Sequence, residues 1–162
     1  MSLTIRPYTP GDTEALWAML EPVFRAGETY CIERDITREA ALAYWSAPGN
    51  QVFLAERGGD ALGSYLLCAN KRGGGDHVAN CAYVTATEAQ GQGVARTMLA
   101  HSLQTARDAG FTAMQFNAVI ATNTRAIATW QRAGFEIVGR LPGAFRHPRE
   151  GLVDALVLYR HL

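Results

Sequence analysis

Charge of either sign in excess is missing: Lys+Arg and Asp+Glu are 15 each in 162 residues. With no net field to draw the chain to a polyanion, a nucleic-acid partner is not expected, nor is an anionic membrane surface. Cysteine is scarce. Cys31, Cys68 and Cys81 are odd in number, far apart and without a C-x-x-C pair, so neither a disulfide framework nor a metal site is signalled. Free thiols fit a reducing, cytoplasmic setting. Long apolar runs are also absent: nothing approaches the run of about 20 apolar residues that spans a bilayer, and Met1 to Pro7 carries no apolar leader core. Repeats and low-complexity stretches are lacking too, and the length suits one domain, residues 1–162, with a core of its own.

What is present is an alternation of short strands and amphipathic helices. Leu3 to Pro7 reads as a strand, and Pro10-Gly11-Asp12 opens a helix with Leu16, Met19, Leu20, Val23 and Phe24 at helical spacing. An irregular stretch, 26–36, follows. Thr37 can cap a second helix to about Trp45, which Pro48-Gly49-Asn50 ends. Gln51–Glu56 and Ala61–Ala69 form a hairpin around Gly58-Gly59-Asp60. A glycine-rich loop, Lys71 to Asp76, leads to a strand from His77 to Thr85. Gly93 to Ala109 is a helix with Met98, Leu99, Leu103 and Ala106 inward, and Ala113 to Val119 a strand. Asn123 to Ala133 is a helix stopped by Gly134. Phe135 to Arg140 is a strand, Pro142 to Glu150 a loop, and Asp154 to His161 the last strand.

The unit from His77 to Val119 runs strand, glycine turn, helix, strand, which makes its two strands parallel and the crossover right-handed. With hairpins on either side the fold is α/β (α+β): a mixed, largely antiparallel twisted sheet with helices on both faces.

Chemistry concentrates at Gln90-Gly91-Gln92-Gly93-Val94-Ala95-Arg96. A strand-to-helix junction leaves backbone N–H groups unpaired at the positive end of the helix dipole, and glycine lets phosphate oxygens approach them. A tight turn alone would also use these glycines. A P-loop would need Gly-Lys-Ser/Thr here, and a dinucleotide turn a third glycine where Arg96 stands and an acid near Gln115, Phe116 and Asn117; neither pattern is met.

The remaining pattern, Gln/Arg-x-x-Gly-x-Gly/Ala, is matched by Gln90, Gly93 and Ala95 with Arg96 following, and here the sequence resembles the GNAT N-acetyltransferase superfamily. A second family motif, roughly Asn-x-x-Ala-x-x-x-Tyr-x-x-x-Gly-Phe, is matched by Asn123, Ala126, Gly134 and Phe135. The resemblance implies that the parallel strands splay apart and that Gly91, Gln92, Gly93, Val94, Ala95 and Arg96 hold the pyrophosphate of acetyl-coenzyme A. It also implies that Tyr83, Val84 and Thr85 bond its pantetheine arm. His77 to Tyr83, Met114 to Asn117 and Thr122-Asn123 look like the branch that acetylates the proline analogue azetidine-2-carboxylate, and Gly27-Glu28-Thr29-Tyr30 is similar to phosphinothricin-type members. Both comparisons imply a small amino acid or analogue as acceptor, and a homodimer is compatible with them.

Attack of an amine on a thioester needs a neutral nitrogen, a placed carbonyl, donors for the oxyanion and a proton for the leaving thiolate. Asn80, Asn117 and Asn123 are positioned to converge on the splay, where an amide can both donate and accept; each would serve equally as a structural amide or cap. Glu28, in the segment that walls the acceptor site in the family, is the candidate base, although a loop carboxylate is more often simply solvated. Tyr30 is a candidate for the same pocket wall. His77, His101 and His161 read as structural, His147 falls in the loop near the acceptor, and Cys81 reads as a buried thiol rather than an acyl carrier. Trp130 departs from the family pattern. It stands where many members have a tyrosine that protonates the thiolate, and an indole N–H is not a usable acid. Trp130 is therefore expected to pack against the cofactor. Loss of that tyrosine also fits a coenzyme A-binding sensory module without turnover, and acetylation of protein lysines or N-termini is a third class.

Overall fold

The computed structural model describes residues 1–162. One seven-stranded sheet runs in the order β1-β2-β3-β4-β5-β7-β6, formed by β1 (Thr4–Pro7), β2 (Gln51–Arg57), β3 (Asp60–Ala69), β4 (Val78–Thr85), β5 (Ala113–Ile120), β6 (Glu136–His147) and β7 (Gly151–His161). Helices α1 (Thr13–Ala26), α2 (Arg38–Trp45), α3 (Val94–Asp108) and α4 (Thr124–Arg132) cover it. No helix is long and apolar enough to cross a membrane.

Local chemistry sets the ends of these elements. Before α1, Asp12 accepts from the Thr9 backbone N–H at 2.8 Å and pairs with Arg6 at 2.8 Å, which holds its carboxyl well below the usual carboxylate range. Gly27, at φ 67°, ends α1 in the left-handed region, where glycine is unstrained. The Thr37 hydroxyl accepts from the Ala40 N–H at 3.1 Å and caps α2.

Adjacent side chains on β3 show which helix covers which face. Ser64 accepts from the buried Trp45 indole of α2 at 3.1 Å, whereas the Tyr65 hydroxyl meets His101 of α3 at 2.7 Å. α2, with α1 packed on it, therefore covers one face and α3 the other. Trp130 of α4 lies against Tyr83, on the α3 side. Helices on both faces were expected, and both faces are covered.

The β3–α3 contact is tight at Gly63, where an added Cβ would sit 2.9 Å from Met98 Cε and 2.9 Å from Val94 Cγ1. Gly63→Ala is expected to cost about 1–3 kcal/mol through overpacking, read as a lower urea midpoint at unchanged m-value. Because Val94 opens α3, the same variant should weaken ligand binding at that helix start.

All pairings are antiparallel except β4–β5, which is parallel and in register only at Val78↔Ala113 and Ala79↔Met114. Beyond those two pairs the strands part. The C-terminal hairpin corrects the sequence reading of a loop from Pro142 to Glu150: β6 continues to His147 and turns tightly into β7 at Gly151. Pro142 does not break it, because β6 is the edge strand and a register shift between Leu141 and Phe145 falls at the proline, where the missing N–H is not needed. Asp154 bridges this irregularity, accepting from Gly143 N–H at 2.9 Å and Arg140 at 2.7 Å. The glycine-rich loop contains a short 3₁₀ turn at Gly73–Gly75.

Candidate active site

A cleft of about 400 Å³ opens where β4 and β5 part. Its walls are Asn80 to Thr85 on β4, Phe116 to Ile120 on β5, Asn123, Ala126 and Trp130 from α4, Gln90 and Ala95 from the glycine turn and α3, and Val23, Thr29, Tyr30, Cys31 and Tyr44 from the N-terminal half. None of these 21 residues is Asp, Glu, Lys, Arg or His. A larger groove of about 510 Å³ between α1 and the β2–β3 hairpin holds none of the parted strand backbone that a thioester could bond. The cleft is therefore the candidate site.

Strand alternation decides which backbone groups face it. Val78 C=O and Ala86 N–H both bond the β3 side, so the even-numbered residues between them, Val84 included, direct their peptide groups to β3. Those of Cys81, Tyr83 and Thr85 point into the cleft. Val84, expected as a backbone partner beside Tyr83, instead turns its peptide groups to β3, because these alternate in direction along the strand. Tyr83 C=O accepts a hydrogen bond from the Tyr30 hydroxyl. Burial pushes the Tyr30 phenol up, and its ring is wedged edge-on against Phe24 at 5.6 Å and Trp45 at 6.2 Å.

At one end of the cleft Gly91 (φ 79°) and Gly93 (φ 81°) bend the chain into α3. The N–H groups of Gly91, Gly93, Val94, Ala95 and Arg96 have no backbone partner, as the first turn of a helix requires. Gln92 stabilises the turn, donating to Glu88 C=O at 2.9 Å and accepting from Arg57 at 3.0 Å. Two guanidinium groups flank the glycines: Arg96 Nη2 lies 3.7 Å from the position of a Cβ on Gly93, and Arg125 Nη2 lies 3.5 Å from one on Gly91. Arg125 escaped the sequence reading because it opens α4, on the far side of a crossover and a strand. Free N–H groups, a helix dipole and two cations together fit a diphosphate.

The amides form a chain across the parted strands. Asn80 Nδ2 donates to Gln115 C=O at 2.9 Å, Gln115 Nε2 to Asn117 Oδ1 at 2.9 Å, and Asn117 Nδ2 to Asn70 Oδ1 at 2.7 Å. Asn80 Oδ1 is left free to accept. Asn123 Oδ1 accepts from Ala126 N–H at 3.4 Å, so it caps α4 while lining the cleft. Trp130 packs 5.2 Å from Tyr83 and 5.1 Å from Phe116, which stacks on Phe135 at 4.4 Å.

Glu28 does not line the cleft. It stands one residue before the lining segment, paired with Arg149 at 2.6 Å. His147 is buried rather than poised in a loop, and its Nδ1 accepts from the N–H groups of Arg149 and Glu150 at 3.2 and 3.3 Å. Desolvation pushes the Cys81 thiol up to about 12, so no thiolate is available there for acyl transfer.

A slot with an anion-binding turn at one end and an uncharged, backbone-lined gap at the other suits an acyl group carried on a long diphosphate-bearing arm, and the class so defined is the acyl-coenzyme A-dependent transferases. The model of the acetyltransferase (GNAT) family matches residues 13–135. The chain belongs to that family, whose members are acyltransferases using acetyl-coenzyme A. It is similar to a GCN5-related N-acetyltransferase from Kribbella flavida, 36% identical, with a TM-score of 0.94 over 99% of this chain and 98% of the other. A ribosomal-protein-alanine N-acetyltransferase from Brucella melitensis is 25% identical, with a TM-score of 0.86 over 98% of this chain and 99% of the other. The N-acetyltransferase aca1 of Schizosaccharomyces pombe is 31% identical over 101 residues, 62% of this chain and 48% of that protein. The matched region thus spans about half the length of that curated relative.

Proposed function

We propose that the protein transfers the acetyl group of acetyl-coenzyme A to the amine of a small amino acid or amino-acid analogue, by direct attack in a ternary complex. The observation that carries this reading is the uncharged gap between β4 and β5, bounded by the free N–H groups of Gly91 and of residues 93–96 and by the amides of Asn80 and Asn117. In this reading the turn and the guanidinium groups of Arg96 and Arg125 hold the pyrophosphate. The inward backbone of Tyr83 and Thr85 bonds the pantetheine arm and polarises the thioester carbonyl. Asn80 Oδ1 accepts from the acceptor's nitrogen, and Asn117 holds its polar end. Glu28 is the proposed base. Trp130 packs on the arm, and the departing thiolate takes its proton from water or from the acceptor's own ammonium group.

Asn80→Ala and Asn117→Ala test the amide assignment. A lost hydrogen bond to a charged group costs about 1.5–3 kcal/mol, so kcat/KM for the acceptor should fall about 10–100-fold while the Kd for acetyl-coenzyme A, by calorimetry, stays the same. Parallel loss of cofactor binding would move both residues to the cofactor. The acceptor class is tested by incubating the protein with acetyl-coenzyme A and panels of free amino acids and peptides, following release of free thiol. Amino-acid turnover is expected. Turnover of peptides alone would favour protein acetylation, a reading the Brucella relative's name supports, and binding without turnover would favour a sensory module.

A further inference from the structure

An amino acid enters an uncharged cleft carrying two charges, and no lining side chain offers a counter-charge to either. Glu28 and Arg149 supply one of each sign. Glu28 immediately precedes the lining residues Thr29, Tyr30 and Cys31, and Arg149 reaches it from the β6–β7 turn at 2.6 Å. No other ion pair joins these two segments. Both are anchored without it: the turn by the buried His147 imidazole, and the segment after α1 by the left-handed Gly27, by Arg34 Nε donating to Arg25 C=O at 2.8 Å and by the Tyr30 hydroxyl on Tyr83. The pair is therefore not needed as a strap. It is also exposed, 73% at the Arg149 side chain and 33% at Glu28, so it is weak and readily exchanged.

We infer that Arg149 recognises the carboxylate of an α-amino acid acceptor, with Glu28 as the internal stand-in that the acceptor's carboxylate displaces. This rests on the amino-acid reading of the acceptor given above. The guanidinium that now meets a carboxylate of the chain through Nη2 alone can meet one on the acceptor with both arms of its fork. Exchange frees Glu28, one residue from the cleft wall at Thr29, from its cation. Carboxylate binding thereby couples acceptor selection to the availability of the base.

The test is steady-state kinetics with glycine, alanine and proline, with their methyl esters, and with methylamine, ethylamine and pyrrolidine. Arg149→Ala is expected to raise KM for the amino acid that turns over best about 10–100-fold, and to leave KM for the matching ester or amine and the Kd for acetyl-coenzyme A unchanged. Arg149→Lys should restore part of the preference, since the charge remains but the fork is lost. Glu28→Gln removes the internal competitor, so KM for the amino acid should hold or fall, whatever happens to kcat. Equal effects of Arg149→Ala on the amino acid and its ester, or none on either, overturn the inference while the acceptor reading stands. If peptides turn over and no free amino acid does, the acceptor reading fails and this inference fails with it.

Discussion

Gly93→Asp is expected to raise the Kd for acetyl-coenzyme A at least 100-fold while the protein still folds. Gly93 sits at φ 81°, just before the free N–H groups of α3. A side chain there costs about 1–2 kcal/mol of backbone strain, which a domain of this size tolerates. The larger effect is electrostatic. A carboxylate about 4 Å from a phosphate oxygen, at an effective dielectric near 20, is repelled by about 4 kcal/mol, which exceeds the 2.8 kcal/mol or so of a hundredfold loss. Gly93→Ala introduces the strain without the charge and should stay within about tenfold of the parent. Added salt should recover part of the loss in the Asp variant and none in the Ala variant. Calorimetric titration of both decides the matter, and an Asp variant that binds as tightly as the parent would place the pyrophosphate elsewhere.

Trp130→Ala should lower both stability and turnover, and comparison with Trp130→Phe separates packing from proton chemistry. The indole lies against Tyr83 and Phe116, and through Phe116 supports Phe135. Truncation of a large aromatic in a core costs about 3–5 kcal/mol; Trp130 is only part-buried, so a loss nearer 2 kcal/mol is expected. It should appear partly as a lower melting temperature and partly as a lower kcat/KM. Phe keeps an aromatic ring in contact and removes the N–H. Its kcat should remain within about tenfold of the parent, or about 1.4 kcal/mol of barrier. A collapse of kcat in the Phe variant with coenzyme A binding intact would mean that the N–H acts on the thiolate directly.

The residues that carry these two predictions differ in how they can be found. Gly93 is legible from the sequence because a glycine at a strand-to-helix junction has a local meaning: it takes a backbone conformation that other residues resist. Trp130 is legible as a position, four residues before Gly134 on a short helix, but the ring it packs on belongs to β4. Arg125 and Arg149 carry no local signal. Arginines are common on surfaces, and only packing puts one beside Gly91 and the other against Glu28.

What the sequence determined by itself is the set of elements and several of their caps, from the Thr37 cap of α2 to the glycine turn before α3, Asn123 before α4 and Gly134 after it. Each of these depends on hydrogen bonds and dihedral preferences within a few residues, and the parallel β4–α3–β5 unit follows from their order. Only the tertiary structure decided where β4 and β5 separate after two residue pairs, and hence that the peptide groups of Tyr83 and Thr85 face the cleft, with the Tyr83 C=O taken by Tyr30. It also decided that β6 runs past Pro142, since an edge strand with a register shift does not need the proline's missing N–H. Strand register, edge position and the partner of a distant charge are set by contacts between elements far apart in the chain, and periodicity within an element carries no record of them.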